Sequence, residues 1–301
     1  MAKDTVTSQT AGVLGHPIAH SRSPVLHRAA YRTLGLAVDY HAHDVTPEDL
    51  PAFMAGLTGE WLGLSVTMPL KSPMMRQVDR FSPRVERLGF LNTVVWEADG
   101  TTTAYNTDVE GIVESLVFAG FDGSEAGGRM GILGGGGTAA AAIAAAHLMG
   151  LSGVDLFVRT PAKAAEHAEL ARGFGLAARV RSLQDFPTVA AGFRAVVATL
   201  PPRAADPTAA GLAGETGGGL PPLLDAAYDP WPSALATAWG SWGGQVVSGL
   251  EMLLYQAVAQ VRLFTGRVLP AGSAPDWAAV TAAMAAALDL PPRTPLTPSI
   301  P

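Results

Sequence analysis

The sequence predicts an α/β protein of two domains, an N-terminal α/β domain and a doubly wound parallel sheet. Three observations lead there. Strand-like apolar runs alternate with helix-like segments along the 301 residues, 48% of which are apolar, enough for a sizeable core. In the second half the alternation is regular, and four glycines, Gly134 to Gly137, separate a strand from an alanine-rich helix. In the first half, Asp99-Gly100 between two β-prone segments reads as a hairpin turn.

The elements follow in order. "GVLG" (12–15) is a short buried strand. After a turn, "SPVLHRAAYRTLG" is a helix, with Ser23 suited to the N-cap, Pro24 to the first helical position and Gly35 to the stop. "VDYHAHDV" alternates as a strand, "PEDLPAFMAGL" suggests a helix, and "WLGLSVTM" is a strand ending before Pro69 and Lys71. "NTVVWEADGTTTAYNTD" is the hairpin. "GRMGIL" is a strand, the glycine run a tight loop, and "TAAAAIAAAHLM" a helix stopped by Gly150. "VDLFV" and the helix "PAKAAEHAELARG" come next, and "FRAVVATL", "LLDAAY" and "GQVVSG" are further strands. "LEMLLYQAVAQVRLFTG" is a long, mostly buried helix that returns to the first domain. The expected domains are therefore residues 1–108 with 249–301, and residues 109–248. The Pro-rich residues 291–301 read as a loose tail.

Composition excludes several classes. A net charge of −6 and a pI of about 5.6 argue against a nucleic-acid partner or an anionic membrane surface. Without cysteine there is neither a disulfide framework nor a thiolate metal site, which fits a reducing cytoplasm. The polar start, "MAKDTVTSQT", has no apolar signal core. Met130 to Val154 carries no Asp, Glu, Lys or Arg, but its glycines, weakly apolar alanines and His147 favour strand–loop–helix over a membrane span.

Gly134, Gly136 and Ala139 fit G-x-G-x-x-A between a strand and a helix. The first glycine permits the tight turn, the second lets the backbone approach a pyrophosphate, and the small third residue lets helix and strand pack closely. The alternative is a glycine turn with no ligand. The next strand decides which dinucleotide fits. A site for NAD places Asp or Glu at that strand's C-terminal end. Here the end reads Val158-Arg159-Thr160, and Asp155 lies too early. Arg159, with Lys163 one turn on, suits the 2′-phosphate of NADP(H); the plainer alternative is two solvated cations.

"LGHPIAHSRSPVLH" (14–27) holds three of the seven histidines. Pro17 between His16 and His20 argues against a helical metal pair. Ser21 and Ser23 sit where hydroxyls and helix N–H groups converge, which suits a carboxylate or phosphate without metal. His16 reads as a turn residue, His20 as a structural hydrogen-bonder, and His27 as packing on the helix.

"GHPIAHSRSPVLH", "SVTMPLK", "LNTVV", "YNTD", "GILGGGGTAA", "VRT", "LLDAAYDPWPSAL" and "SGLEMLLYQA" occur in the order found in shikimate dehydrogenases, and residues 11–267 resemble that family. The resemblance implies a Rossmann-type NADP-binding domain and NADPH-dependent reduction of 3-dehydroshikimate to shikimate in aromatic amino acid biosynthesis, in the cytoplasm, as a monomer or homodimer. It places Lys71 and Asp108 on the catalytic pair. Ser21 and Ser23 fall on carboxylate-binding serines, and Ser65, Thr67, Asn92, Tyr228 and Gln256 on substrate contacts. The cofactor falls to Gly134, Gly135, Gly136, Gly137, Thr138 and Ala139, to the clamp Arg159, Thr160 and Lys163, and to Thr199, Gly249 and Met252. The chain departs from the family's pattern at Ser65, where many members have Asn, at Val158, where N-R-T is usual, and at Ser233-Ala234, where Thr-Pro is common. A relative using quinate or an amino-substituted shikimate, and a non-catalytic NADPH-binding sensor, are the alternatives.

One hint is independent of the family. Only three of the twenty Lys and Arg residues are lysines, Lys3, Lys71 and Lys163. Where Arg is the default cation, a retained Lys suggests a proton to be released, which Arg does not give. Asp108 fits two roles, holding that ammonium or capping the helix "VEGIVESLVF". Tyr228 also fits core packing, and Gln256 a buried hydrogen-bonder.

Overall fold

Two sheets, each of six strands among the described residues, take up the apolar runs. The computed structural model describes residues 9–58, 60–124, 126–212, 219–270 and 272–293; the end of the Pro-rich tail lies outside these, as does the side chain of Lys163. By contacts the chain forms two units, one running to Thr107 and resuming at Leu254, the other Asp108–Leu253.

The first unit holds β1 (Gln9–Gly15), α1 (Ser23–Leu34), β2 (Val38–Asp44), α2 (Leu50–Ala55), β3 (Trp61–Val66), β4 (Arg80–Phe81), α3 (Pro83–Leu88), β5 (Thr93–Trp96) and β6 (Thr102–Tyr105). The order is β2-β1-β3-β5-β6-β4. β1 runs parallel to β2 and β3, whereas β5 is antiparallel to β3 and β6, so the sheet is mixed. Gly100, at φ +83, turns the hairpin, and Glu97 N–H closes it on Thr101 O at 2.8 Å. Gly35, at φ +68, ends α1 as its sequence suggests. The start of α1 differs from expectation: Arg22 takes the N-cap and Ser23 is the first helical residue. The reason is that the Ser23 hydroxyl is drawn inward to Tyr40, and Ser21 Oγ accepts from Ser23 N–H instead, at 3.3 Å.

The second unit holds α4 (Asp108–Phe118), β7 (Arg129–Leu133), α5 (Gly137–Leu148), β8 (Gly153–Val158), α6 (Ala165–Gly173), β9 (Ala177–Ser182), β10 (Ala195–Ala198), α7 (Asp206–Leu212), β11 (Leu223–Asp225), α8 (Ala234–Ser241) and β12 (Val246–Ser248). Its strands pair in parallel in the order β12-β11-β10-β7-β8-β9. Numbered within the unit and read from β9, that is 3-2-1-4-5-6, the order of dinucleotide-binding sheets. The residues Ala139 to Ala146 of α5 are all buried, and a helix of such small residues packs closely on every side. The core clusters Phe157, Phe186, Phe193 and Trp239, the indole N–H donating to Pro221 O at 2.9 Å. Ser233 has a definite job: it caps α8, accepting from Ala236 N–H at 3.0 Å, and donates to Asp225 Oδ2 at 2.5 Å.

α9 (Gly249–Thr265) carries the chain back into the first unit, where α10 (Trp277–Ala286) also lies. The ring of Phe264 occupies the space where Gly63 has no side chain; a Cβ on Gly63 would overlap that ring and stand 2.8 Å from Val94 O. Gly63→Ala should therefore destabilise the protein by about 1–3 kcal/mol in urea denaturation, the range for overpacking. Phe264→Leu in the same background should cost less than the sum of the two single changes.

Candidate active site

In the first unit the candidate side chains gather at the C-terminal ends of β1 and β3. Gly15 makes this possible. A Cβ there would stand 2.5 Å from Thr67 Cγ2 and 3.0 Å from Met68 O, so only glycine lets the loop after β1 meet the loop after β3. Backbone bonds lock the approach: Thr67 N–H donates to Leu14 O at 2.9 Å and His16 N–H to Met68 O at 3.1 Å. Leu70 N–H then bonds Thr67 O at 2.9 Å, a turn that delivers Lys71 half-buried. Ser21, also half-buried, lies on the first loop. His16 Nδ1 lies 2.5 Å from Asp44 Oδ1, tying that loop to the end of β2, and His20 is exposed. Among the described residues no group of three His, Asp or Glu could hold a metal.

Beneath these loops runs a buried polar network. Gln260 of α9, 1% exposed, sets its direction. Asn92 O can only accept, so the Gln260 amide nitrogen faces it at 3.2 Å and also donates to Thr93 Oγ1 at 2.9 Å. The Gln260 oxygen therefore accepts from Ser65 Oγ at 2.7 Å, and Ser65 in turn accepts from Tyr40 OH at 2.7 Å. Tyr40 also hydrogen-bonds Ser23. On the other side, Thr93 donates to Asn92 Oδ1 at 2.7 Å, and Thr107 N–H donates to the same oxygen at 2.8 Å. Asn92 Nδ2 reaches Gln256 Oε1 at 3.3 Å. The structure thus brings together Ser23, Ser65, Asn92 and Gln256, and clamps the loop that ends at Thr107, next to Asp108. Asp108 opens α4 and is buried, in the second unit.

His27 belongs to this network rather than to a plain helix surface. It is fully buried, stacked on Tyr40 with ring centroids 4.1 Å apart, and lies 3.3 Å from Gln260 Oε1 and 3.2 Å from Tyr31 OH. Burial pushes its pKa down to about 3, only partly opposed by the bond to Gln260, so it is neutral at ordinary pH. The sequence reads His27 as helix packing, and it marks neither Tyr40 nor Gln260 as its partner. The available signals were the four-residue spacings of His27 with Tyr31 and of Gln256 with Gln260, the second on a mostly apolar helix.

In the second unit the glycine loop leads from β7 to α5. Gly134 sits at φ +120, and a Cβ there would collide with Thr199 Oγ1, whose hydroxyl donates to Leu133 O at 3.0 Å. α5 has no side-chain cap, since Gly136 is its N-cap, and its first amide N–H groups lack acceptors within the helix. Ala139 is fully buried, allowing close packing. Asp155 is unsuited to a ribose because Arg129 Nε holds it at 2.5 Å and Arg181 Nε at 2.8 Å. The strand end is left to the exposed Arg159 and Thr160. Gly249 follows β12, and a Cβ on it would collide with Ala226 O and lie 3.1 Å from Tyr228 Cδ1, so the two stand side by side. Met252 is buried, three residues further along α9.

A sheet of this order with such a glycine loop defines a dinucleotide-binding protein of the two-unit, Rossmann-type class. The chain belongs to the shikimate dehydrogenase family. A model of the shikimate dehydrogenase substrate binding domain matches residues 13–94, and one of the shikimate 5′-dehydrogenase C-terminal domain matches residues 249–273. Shikimate dehydrogenase (NADP(+)) of Moorella thermoacetica is 39% identical over 275 residues, covering 86% of this chain and 88% of the relative. The crystal structure of Mycobacterium tuberculosis shikimate dehydrogenase is 41% identical with a TM-score of 0.79, covering 92% of this chain and 99% of that one. The Thermus thermophilus enzyme, solved in complex with NADP(H) and shikimate, is 31% identical with a TM-score of 0.76, covering 93% and 99%. No helix among the described residues is long and apolar enough to cross a membrane.

The buried His27 sets an acid limit. An unfolded histidine takes its proton near pH 6.5, whereas the folded one resists to about pH 3, so the unfolded chain binds more protons across that window. The stability from neutral His27 is complete above pH 6.5 and falls as the pH drops towards 3. Melting temperature measured from pH 7 to pH 4 should fall less steeply in His27→Gln than in the wild type, even though the variant starts lower for want of the ring stacked on Tyr40.

Proposed function

We propose that this chain catalyses the reversible NADPH-dependent reduction of 3-dehydroshikimate to shikimate, a step of aromatic amino acid biosynthesis, with Lys71 and Asp108 at the reacting ketone. Family membership supports the reaction. The observation that carries the cofactor choice is β8 ending on Arg159 while Asp155, the nearest acid, is consumed by two arginines. The glycine loop fits a dinucleotide: Gly134 has no room for a side chain, and α5 starts uncapped. Gly134 to Ala139 hold the pyrophosphate, and Arg159 and Thr160, with Lys163, hold the 2′-phosphate. Thr199, Gly249 and Met252 line the rest of the cofactor. When bound, NADPH supplies the hydride.

The chain's own residues bind the substrate and move the proton. Ser21 and Ser23 take the substrate carboxylate. Thr67, Ser65, Asn92, Tyr228 and Gln256 contact the ring and its hydroxyls. Reduction leaves an alkoxide, and Lys71 Nζ hands it a proton. Asp108 accepts from a substrate hydroxyl and orients the ammonium. We place the enzyme in the cytoplasm, a reducing compartment that suits a chain free of cysteine. Turnover of shikimate, quinate and aminoshikimate, each with NADP and NAD, tests the substrate; the fastest turnover should be of shikimate with NADP.

Lys71→Ala should cut turnover by roughly 10²–10⁴-fold, the usual range for a lost general acid–base group. Lys71→Arg keeps the charge but donates a proton poorly at neutral pH, so it should be nearly as impaired while the shikimate KM stays within a few-fold. An Arg variant that turns over like the wild type would reduce Lys71 to a charge.

Arg159→Ala should raise the KM for NADPH far more than that for NADH. Equal losses for the two cofactors would remove the phosphate-clamp role.

A further inference from the structure

The glycine loop has a weak point of its own making. A Cβ at Gly136 would meet nothing within 4 Å, and one at Gly135 only Val158 Cγ1, at 3.4 Å. Glycines stand on both sides of the peptide between Gly136 and Gly137, so no side chain of its own restricts its rotation and hydrogen bonds must hold it. Its orientation matters. With the Gly136 carbonyl directed into the protein, the N–H groups that follow are left to an anion. Rotated, the same peptide would present an oxygen to a phosphate.

Two donors hold that carbonyl. Ala140 N–H bonds it at 3.1 Å, the first bond of α5. The other is His167, on α6, whose Nε2 lies 3.1 Å from the same oxygen. A carbonyl has no proton to give, so the imidazole is the donor and Nε2 carries the hydrogen. His167 is 8% exposed. It is thus a polar ring buried where α6 packs on α5, engaging the carbonyl of the residue that caps α5.

We propose that His167 is a positioning residue for the cofactor: its Nε2–H pins the Gly136 carbonyl, so that the N-terminal amides of α5 stay turned to the pyrophosphate. This rests on the reading of the loop as the NADPH site. The bond is to the part of the dinucleotide site shared by NADPH and NADH, whereas Arg159 serves the 2′-phosphate alone.

The experiment measures dissociation constants of NADPH and NADH by titration calorimetry, without turnover, for the wild type, His167→Leu and His167→Gln. Melting temperatures and the shikimate KM at saturating NADPH are measured alongside. His167→Leu should weaken both cofactors by the same factor, about three- to tenfold, the size of one lost hydrogen bond. The shikimate KM should not move. His167→Gln, which keeps an N–H at the Nε2 position, should recover most of the affinity. A leucine variant that binds NADPH within twofold of the wild type overturns the proposal. So does a loss confined to NADPH, which would make His167 a 2′-phosphate contact. A glutamine variant with wild-type melting temperature and leucine-like affinity overturns it as well. If the wild type itself binds no NADPH, the cofactor reading fails, and that result is separate from all of these.

Discussion

The first unit depends on one buried amide. Gln260 faces a backbone carbonyl that can only accept, and this fixes which end of the amide is nitrogen. From that single constraint the direction of each neighbouring bond follows: Thr93 receives, Ser65 gives, Tyr40 gives to Ser65. In a network so ordered, removing one member strands a buried partner at about 1–3 kcal/mol. Ser65 illustrates the result. Whatever it offers a substrate, it is first the link between Tyr40 and the return helix, and at 4% exposure it has little freedom to be anything else.

The second unit solves a related problem with charge. Asp155 sits mid-strand on β8, 1% exposed, where a lone carboxylate would be costly. Arg129 from β7 and Arg181 from β9, the strands on either side, converge on it. The trio leaves a net positive charge along that part of the sheet, in keeping with a strand end that carries Arg159 rather than an acid.

Local chemistry was readable in the sequence. Gly35 and Gly150 end helices because a left-handed residue is needed at each, and the glycine loop announces itself between an apolar strand and a helix of alanines. What depends on distant neighbours was not. Ser23 has the composition of a cap, yet Tyr40, seventeen positions on, takes its hydroxyl. His27 meets Gln260 across 233 residues, a pairing no local pattern encodes. α7 and α8 are short, α10 shows little contrast between its faces, and β9 is an edge strand of half-exposed Ala, Arg and Val, so none of the four stood out. The serine turn and the glycine loop stood out as motifs, and Tyr228 and Gln256 rested on the resemblance; the polar network beneath them had no local signature.

The hollow at Gly63 has a consequence for the order in which the molecule can be completed. Phe264, which fills it, and Gln260, which satisfies Thr93 and Asn92, are both made after the whole of the second unit. A ribosome therefore releases the first sheet with a notch in its face and unmatched polar groups beside it, and these persist while about 150 further residues emerge. The middle of the chain can close on itself during that interval. The sheet made first is the one finished last, and its maturation waits on α9.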